Sequence, residues 1–233
     1  MKSSKDITVP GYLRSFGRRQ AKKLSPARER LMNSLLPKIA VKTDTPIRDQ
    51  FPSNIRELWL EIGFGGGEHL STQARQNPDV GIVGCEPFID GVAKLLAQIH
   101  EADVQNVRVH GDDARETFSC IGEGDLDRVF VLFPDPWRKS RHHKRRFIQT
   151  QVLDQFAKML KDGGEFRFAS DHMDYVRWTL AHVMRHPDFE WLAESPEDWR
   201  VPPTDWVRTR YEEKALGKGD ACVYLRFRRK NRG

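Results

Sequence analysis

The run Leu60-Glu61-Ile62-Gly63-Phe64-Gly65-Gly66-Gly67 constrains this 233-residue chain most, because an apolar strand there breaks into a glycine turn that leads into a helix. Glycines lift the steric bar on positive φ and let a ligand touch backbone, while the following helix offers unpaired N–H groups and the positive end of its dipole. A nucleotide-like ligand is expected. A dinucleotide fingerprint, G-x-G-x-x-G, would need glycine at position 68, where the chain has Glu68. The pattern present is E-x-G-x-G-x-G. A carboxylate at Glu61 facing the crevice is poor company for a pyrophosphate and suits the ammonium of a methionine moiety. The ligand this predicts is S-adenosyl-L-methionine, with contacts at Glu61, Gly63 and Gly65.

A second acid supports that expectation. Glu86 closes the next apolar segment, about 20 residues past the turn, where nucleotide-binding α/β folds place the acid that accepts from both ribose hydroxyls. Asp112 and Asp113 follow the third segment. A carboxylate there accepts from the exocyclic amine of adenine, although an N-cap ahead of Ala114 is an equally natural use for one of them.

The rhythm around these acids alternates. Strands are predicted at 58–63, 81–86, 107–110, 129–133 and 165–169, with helices from about Glu68 and over 89–102, 147–160 and 171–186, and a short one from about Ala114. Continuous apolar strands alternating with helices predict a parallel sheet covered on both faces. Residues 189–192 and 221–227 read as strands without an intervening periodic helix, an antiparallel addition. Between them lies a polar, proline- and glycine-punctuated segment at about 194–220, a length that is usually functional or disordered. Residues 1–50, with four prolines and many basic groups, are expected as a partly mobile arm with helical pieces around Arg28 to Leu36 and no core, and 51–233 as one domain.

The fourth strand runs into Leu132-Phe133-Pro134-Asp135-Pro136-Trp137. Prolines flanking an acid fix its carboxylate at the carboxyl edge of the sheet, and an adjacent aromatic can stack on a base. The element resembles the Asp/Asn-Pro-Pro-Tyr/Trp motif of enzymes that methylate nucleobase nitrogens. Immediately after it come Arg138, Lys139, Arg141, His142, His143, Lys144, Arg145 and Arg146. Asp171, just past the fifth strand, is read as a helix cap with substrate contact left open.

Net charge is +6, yet residues 14–23 alone carry five cations and residues 138–146 six, neither with an acid, so the rest of the chain sums to −5. With a basic end (Arg226, Arg228, Arg229, Lys230, Arg232), such segregation is the footprint of a polyanion binder. Mean hydropathy is −0.65 and no apolar run approaches the ~20 residues that span a bilayer. No membrane association is expected. Three dispersed cysteines without C-x-x-C spacing argue against disulfides and zinc and favour a reducing cytoplasm. Adjacent His142 and His143 in a basic run are assigned phosphate contact, with no metal.

These residues resemble the bacterial tRNA (guanine-N7)-methyltransferase family over most of the chain. Arg14-Ser15-Phe16 with Arg18-Arg19-Gln20 is similar to its basic arm, Leu60 to Gly65 to its cofactor turn, and Phe133 to Trp137 with Lys144-Arg145-Arg146 to its central signature. Thr209-Arg210-Tyr211-Glu212 is similar to its loop of Thr, Lys or Arg, Phe or Tyr, and Glu. One departure is Gly66, where some members carry methionine. The resemblance implies cofactor contacts at Glu61, Glu86, Asp113 and Asp135, with Asp135 also catalytic. Substrate contacts are implied at Lys139, Asp171, Thr209, Arg210, Tyr211 and Glu212, and RNA contact along Arg141 to Arg146. It further implies a Rossmann-like class I S-adenosylmethionine-dependent fold, here a mostly parallel seven-stranded sheet with an antiparallel C-terminal strand, and a tRNA substrate modified at guanine 46. No obligate protein partner is evident. The competing readings are a methyltransferase of another RNA base, a noncatalytic RNA-binding module, and a nicotinamide-dependent oxidoreductase, the last disfavoured by the missing third glycine.

Overall fold

The first predicted strand forms β1 (Glu57–Ile62), and its burial on both faces dictates the layering around it. Leu58, Leu60 and Ile62 pack into one core cluster and Trp59 into another, the two-residue alternation of a strand. A strand with no solvated face needs helices on both sides. The computed structural model, which describes Arg19 and residues 23–233, supplies them in chain order. Ahead of β1 lie α1 (Pro26–Ser34) and α2 (Leu36–Ile39). After it come α3 (Glu68–Gln76), β2 (Val80–Cys85), α4 (Ile89–Glu101), β3 (Val107–His110), β4 (Leu126–Leu132), α5 (Thr150–Met159), β5 (Leu160–Ser170) and α6 (Met173–Val183). The chain closes with β6 (Phe189–Trp191), α7 (Glu197–Arg200), α8 (Arg210–Leu216) and β7 (Val223–Arg229).

The strands lie in the order β3-β2-β1-β4-β5-β7-β6. The first five run parallel, β7 is antiparallel to β5, and β6 to β7. Strand order reverses between β1 and β4, so a crevice opens beyond the carboxyl ends of those two strands, the place where open α/β sheets take ligands. Helices α3 and α4 cover one face with Leu70, Val92, Leu95 and Ile99. Helices α5 and α6 cover the other, where Phe156, Phe166 and Phe227 pack ring against ring at centroid separations of 5.2 and 5.5 Å.

Two expectations are corrected here. Residues 23–50 are not core-free: Ile47 is fully buried with Phe51 and Ile55, and Val41 N–H donates to the Val109 carbonyl at 3.0 Å, closing the β3 edge of the sheet. Sparse apolar residues among prolines hide that packing from periodicity. The segment 194–220 also carries two short helices, of which α8 is opened by a capping box between Thr209 and Glu212. The T-x-x-E spacing is a helix-start signal. Of the basic run 14–23, only Arg19 and Lys23 fall within the described residues.

Candidate active site

The glycine turn takes the backbone it was expected to need, with φ of 75° at Gly63, 57° at Gly65 and 82° at Gly67. At Gly65 the constraint is doubled, since a Cβ there would meet the Tyr211 ring at 2.9 Å. Glu86, from the end of β2, reaches across the turn: Gly65 N–H donates to its Oε2 at 2.7 Å and Phe88 N–H to its Oε1 at 2.9 Å. Burial raises the Glu86 carboxyl above its ordinary value; the two backbone donors oppose the shift, and the charges of Asp135 and Glu61 add to it.

A cavity of about 370 Å³ opens here, walled by Gly63, Gly65, Glu86, Asp112, Asp113, Asp135, Trp137, Arg145 and Tyr211. Asp135 sits on a loop held from both ends. Phe133 N–H donates to the Ala169 carbonyl at 2.8 Å, and the Pro136 carbonyl accepts from Arg146 Nε at 2.9 Å. Phe133 and Trp137 are left-handed, at φ 50° and 44°, a conformation that costs a non-glycine residue about 1–3 kcal/mol and persists only where the surroundings impose it. Asp135 is solvent-exposed, and the partial desolvation of its carboxyl beside the cavity raises it, with no hydrogen bond or ion pair to it among the described residues. Tyr211, also in the lining, stays half exposed, and its hydroxyl is pushed up by partial desolvation and then by Glu86 and Asp135.

Several of the expected contact residues are engaged by other parts of the protein. Glu61 is buried beneath the turn, its Oε2 2.7 Å from His69 Nδ1, because the register that sends Leu60 and Ile62 to one face sends position 61 under α3. Asp113 lines the cavity but already caps the turn Ala114–Cys120, accepting from Arg115 N at 3.1 Å and pairing with the Arg115 guanidinium. Its neighbour Asp112 takes both Nη groups of Arg19 at 2.8 and 2.7 Å. Asp171 is exposed and does not cap α6; Ser170 Oγ accepts from His172 N instead. Thr209 and Glu212 lie under the loop surface, Glu212 wholly buried with bonds from Trp206 Nε1 (2.8 Å) and Tyr224 Oη (2.6 Å). Lys139 and Arg210 are exposed outside the cavity wall.

The loop ahead of α8 is pinned to the sheet by Asp205, whose carboxylate accepts from Arg167 Nη1 and Nη2 at 2.9 Å each and from Arg128 Nη1 at 2.8 Å. Partial burial alone would raise its carboxyl, but the hydrogen bonds and charge of Arg167, with Arg128, outweigh it and hold the group at about 2. Its contribution to stability is therefore complete above the unfolded value of ~4 and fades as pH falls through about 2. Because the carboxylate is half exposed, Asp205→Asn should cost about 1 kcal/mol in unfolding titrations at neutral pH, a cost that shrinks toward zero only as pH falls below about 2.

The basic segment forms a 3-10 turn at Ser140–Arg145 on the rim of the cavity. Arg138, Lys139, Arg141 and Lys144 are exposed, while Arg145 lies 5.0 Å over the Trp137 ring and lines the cavity. His142 packs edge-on against Trp137 at 6.0 Å, and His143 Nε2 lies 3.0 Å from Arg146 Nη2. Arg146 is corrected from an RNA contact to an internal brace. It is 2% exposed, paired with Asp174, and set between the Tyr175 and Trp178 rings at 5.0 and 5.1 Å. Arg146→Ala should destabilise the fold by about 2–3 kcal/mol in denaturant titrations, since it strips a buried guanidinium from its partners. The basic C-terminus is likewise spent internally: Arg226 pairs with Glu165, Arg228 with Glu190, and Arg229 and Arg232 with Asp162.

Comparison with known proteins bears on what this cavity serves. A family model described as "Putative methyltransferase" matches residues 56–225. The tRNA (guanine-N(7)-)-methyltransferase of Rhodospirillum rubrum is 50% identical over 228 residues, covering 94% of this chain and 89% of the relative. The enzyme of that name from Agrobacterium fabrum is 45% identical, covering 92% and 94%. The chain belongs to the tRNA (guanine-N7)-methyltransferase family. Its fold is also that of more distant methyltransferases. The 16S rRNA methyltransferase KamB superposes with a TM-score of 0.54 at 16% identity over 78% of this chain and 92% of that one. A 16S rRNA (adenine(1408)-N(1))-methyltransferase from Catenulisporales acidiphilia gives 0.53 at 13%, over 78% and 88%. Within the family frame, the parts sequence reasoning missed are Arg115, Phe147 and Phe88 in the cavity wall, and His69 and Gln73 beneath it. Only the four-residue spacing of His69 and Gln73 on one helix face left a trace in the sequence.

Proposed function

We propose that the protein transfers the methyl group of S-adenosyl-L-methionine to N7 of guanine in the tRNA variable loop, at position 46. The observation that carries this reading is the Asp135 carboxylate, without a partner among the described residues, facing Glu86 in a cavity bordered by an exposed cationic turn. The donor set suits the cofactor. Both Glu86 oxygens retain lone pairs for ribose hydroxyls, and nothing lies within 4 Å of where a Cβ of Gly63 would stand, which leaves backbone open to close approach. The carboxylates of Glu86 and Asp135, without an ion pair among the described residues, favour a cationic ligand and disfavour a pyrophosphate, whereas Asp112 and Asp113 are matched by Arg19 and Arg115. When bound, that cofactor supplies an electrophilic methyl on a sulfonium centre.

The chain's own residues do the rest by position and charge. N7 of guanine presents a lone pair and no proton, so no general base is required. The alkylated ring becomes cationic, and the negative potential of Asp135 stabilises that charge as it develops. Trp137 and Tyr211, both in the cavity lining, offer aromatic faces for a purine rotated out of its stack, at a cost of a few kcal/mol. Arg138, Lys139, Arg141 and Lys144 lie where the flanking phosphates would run. The decisive experiment is transfer of labelled methyl to unmodified tRNA, with the labelled nucleotide mapped by its characteristic chain cleavage. Label on a nitrogen other than N7, or none on tRNA, refutes the proposal.

A further inference from the structure

A chain of buried polar groups runs from beneath the glycine turn to the loop that carries Tyr211. Glu61, His69 and Gln73 are each at most 3% exposed. Gln73 Nε2 lies 3.1 Å from the Asp205 carbonyl and, at the long limit of a hydrogen bond, 3.5 Å from His69 Nε2; its Oε1 accepts from Asn77 Nδ2 at 3.2 Å. Both amide hydrogens of Gln73 are thereby directed, one to Asp205 and one to His69, so His69 Nε2 is the acceptor. That leaves Nδ1 as the ring donor, giving its hydrogen to Glu61 Oε2 at 2.7 Å. The His69 ring also lies 5.9 Å from Trp206, whose Nε1 donates to Glu212, the residue that closes the α8 capping box.

We propose that His69 and Gln73 are positioning residues that hold residues 205–212 in register with the cofactor turn. The inference rests on reading that loop as the purine-side wall of the methyltransferase cavity. A single polar chain ties Glu61, at the end of β1, to the Asp205 carbonyl four residues before the cap of α8, so the Gly65 turn and the Tyr211 ring packed on it are set by one connected unit. The sheet anchor at Arg167 and Arg128 fixes the Asp205 carboxylate, and Gln73 fixes its backbone; together they leave the loop one orientation.

Two substitutions separate this role from general stability. Gln73→Met keeps length and volume but removes both donors. His69→Asn places Nδ2 where the imidazole Nδ1 stands, which preserves donation to Glu61 while breaking the reach to Gln73 and Trp206. For each, amide hydrogen exchange at Thr209, Glu212 and Glu213 should accelerate at least tenfold with β1 and β4 unchanged. S-adenosylmethionine affinity by calorimetry should stay within twofold, and KM for tRNA should rise at least tenfold. Exchange at those three amides within twofold of wild type overturns the proposal, as does a uniform rise across the chain. If His69→Asn does not fold, Gln73→Met alone decides. The exchange arm needs no RNA, so a wild-type protein that methylates no tRNA refutes the functional reading and leaves the loop test standing.

Discussion

Asp135→Ala is expected to slow methyl transfer to tRNA by roughly a hundred- to a thousandfold, the loss that follows removal of one preorganised electrostatic group facing a developing charge. The carboxylate is held by a loop clamped at Phe133 and Pro136, and no described residue neutralises it. Its charge is therefore free to act on a cationic ring. Asp135→Asn keeps the size and removes the charge, so it should lose nearly as much, and single-turnover rates at saturating cofactor read both effects without interference from product release. Turnover within twofold of wild type in either variant removes Asp135 from the chemistry.

The second large effect concerns RNA affinity. Replacing Lys139, Arg141 and Lys144 together by alanine should lower affinity for tRNA by about a hundred- to a thousandfold near 0.1 M salt, because each phosphate contact contributes roughly 0.7–0.9 to the slope of log affinity against log salt. That slope should become shallower by about two to three, with cofactor affinity unchanged. Arg145 and Arg146 are left out deliberately, one lying against Trp137 in the cavity and the other buried. A slope equal to that of wild type takes the basic turn out of the interface.

Much of this was legible in the sequence where a local rule acts alone. The glycine turn, the apolar strands and the acids at their carboxyl ends follow from backbone sterics and from burial on two faces, and they emerge as β1, β2, β4 and the cavity they frame. What a local rule does not reach is the partner a charged side chain finds. Glu61 shares its residue type and place in the chain with a ligand contact, yet strand alternation hands it to His69. Arg146 stands at the end of six cations, yet the entry into α5 turns it inward onto Asp174. Thr209 and Glu212 resemble a substrate motif and also spell a capping box, and in the fold they cap α8 beneath the surface. The first two outcomes depend on residues 8 and 28 positions away, which periodicity does not encode, whereas the third was already spelled by the T-x-x-E spacing.

The internal pairing of the C-terminal arginines has a consequence for how a large polyanion arrives. With Arg226, Arg228, Arg229 and Arg232 matched to Glu165, Glu190 and Asp162, the exposed cations of residues 138–144 concentrate positive charge on the side of the cavity. In the field of a nucleic acid such a body rotates before it touches, so most diffusional encounters begin with the productive side already forward, and the association rate falls as added ions shorten the range of that torque.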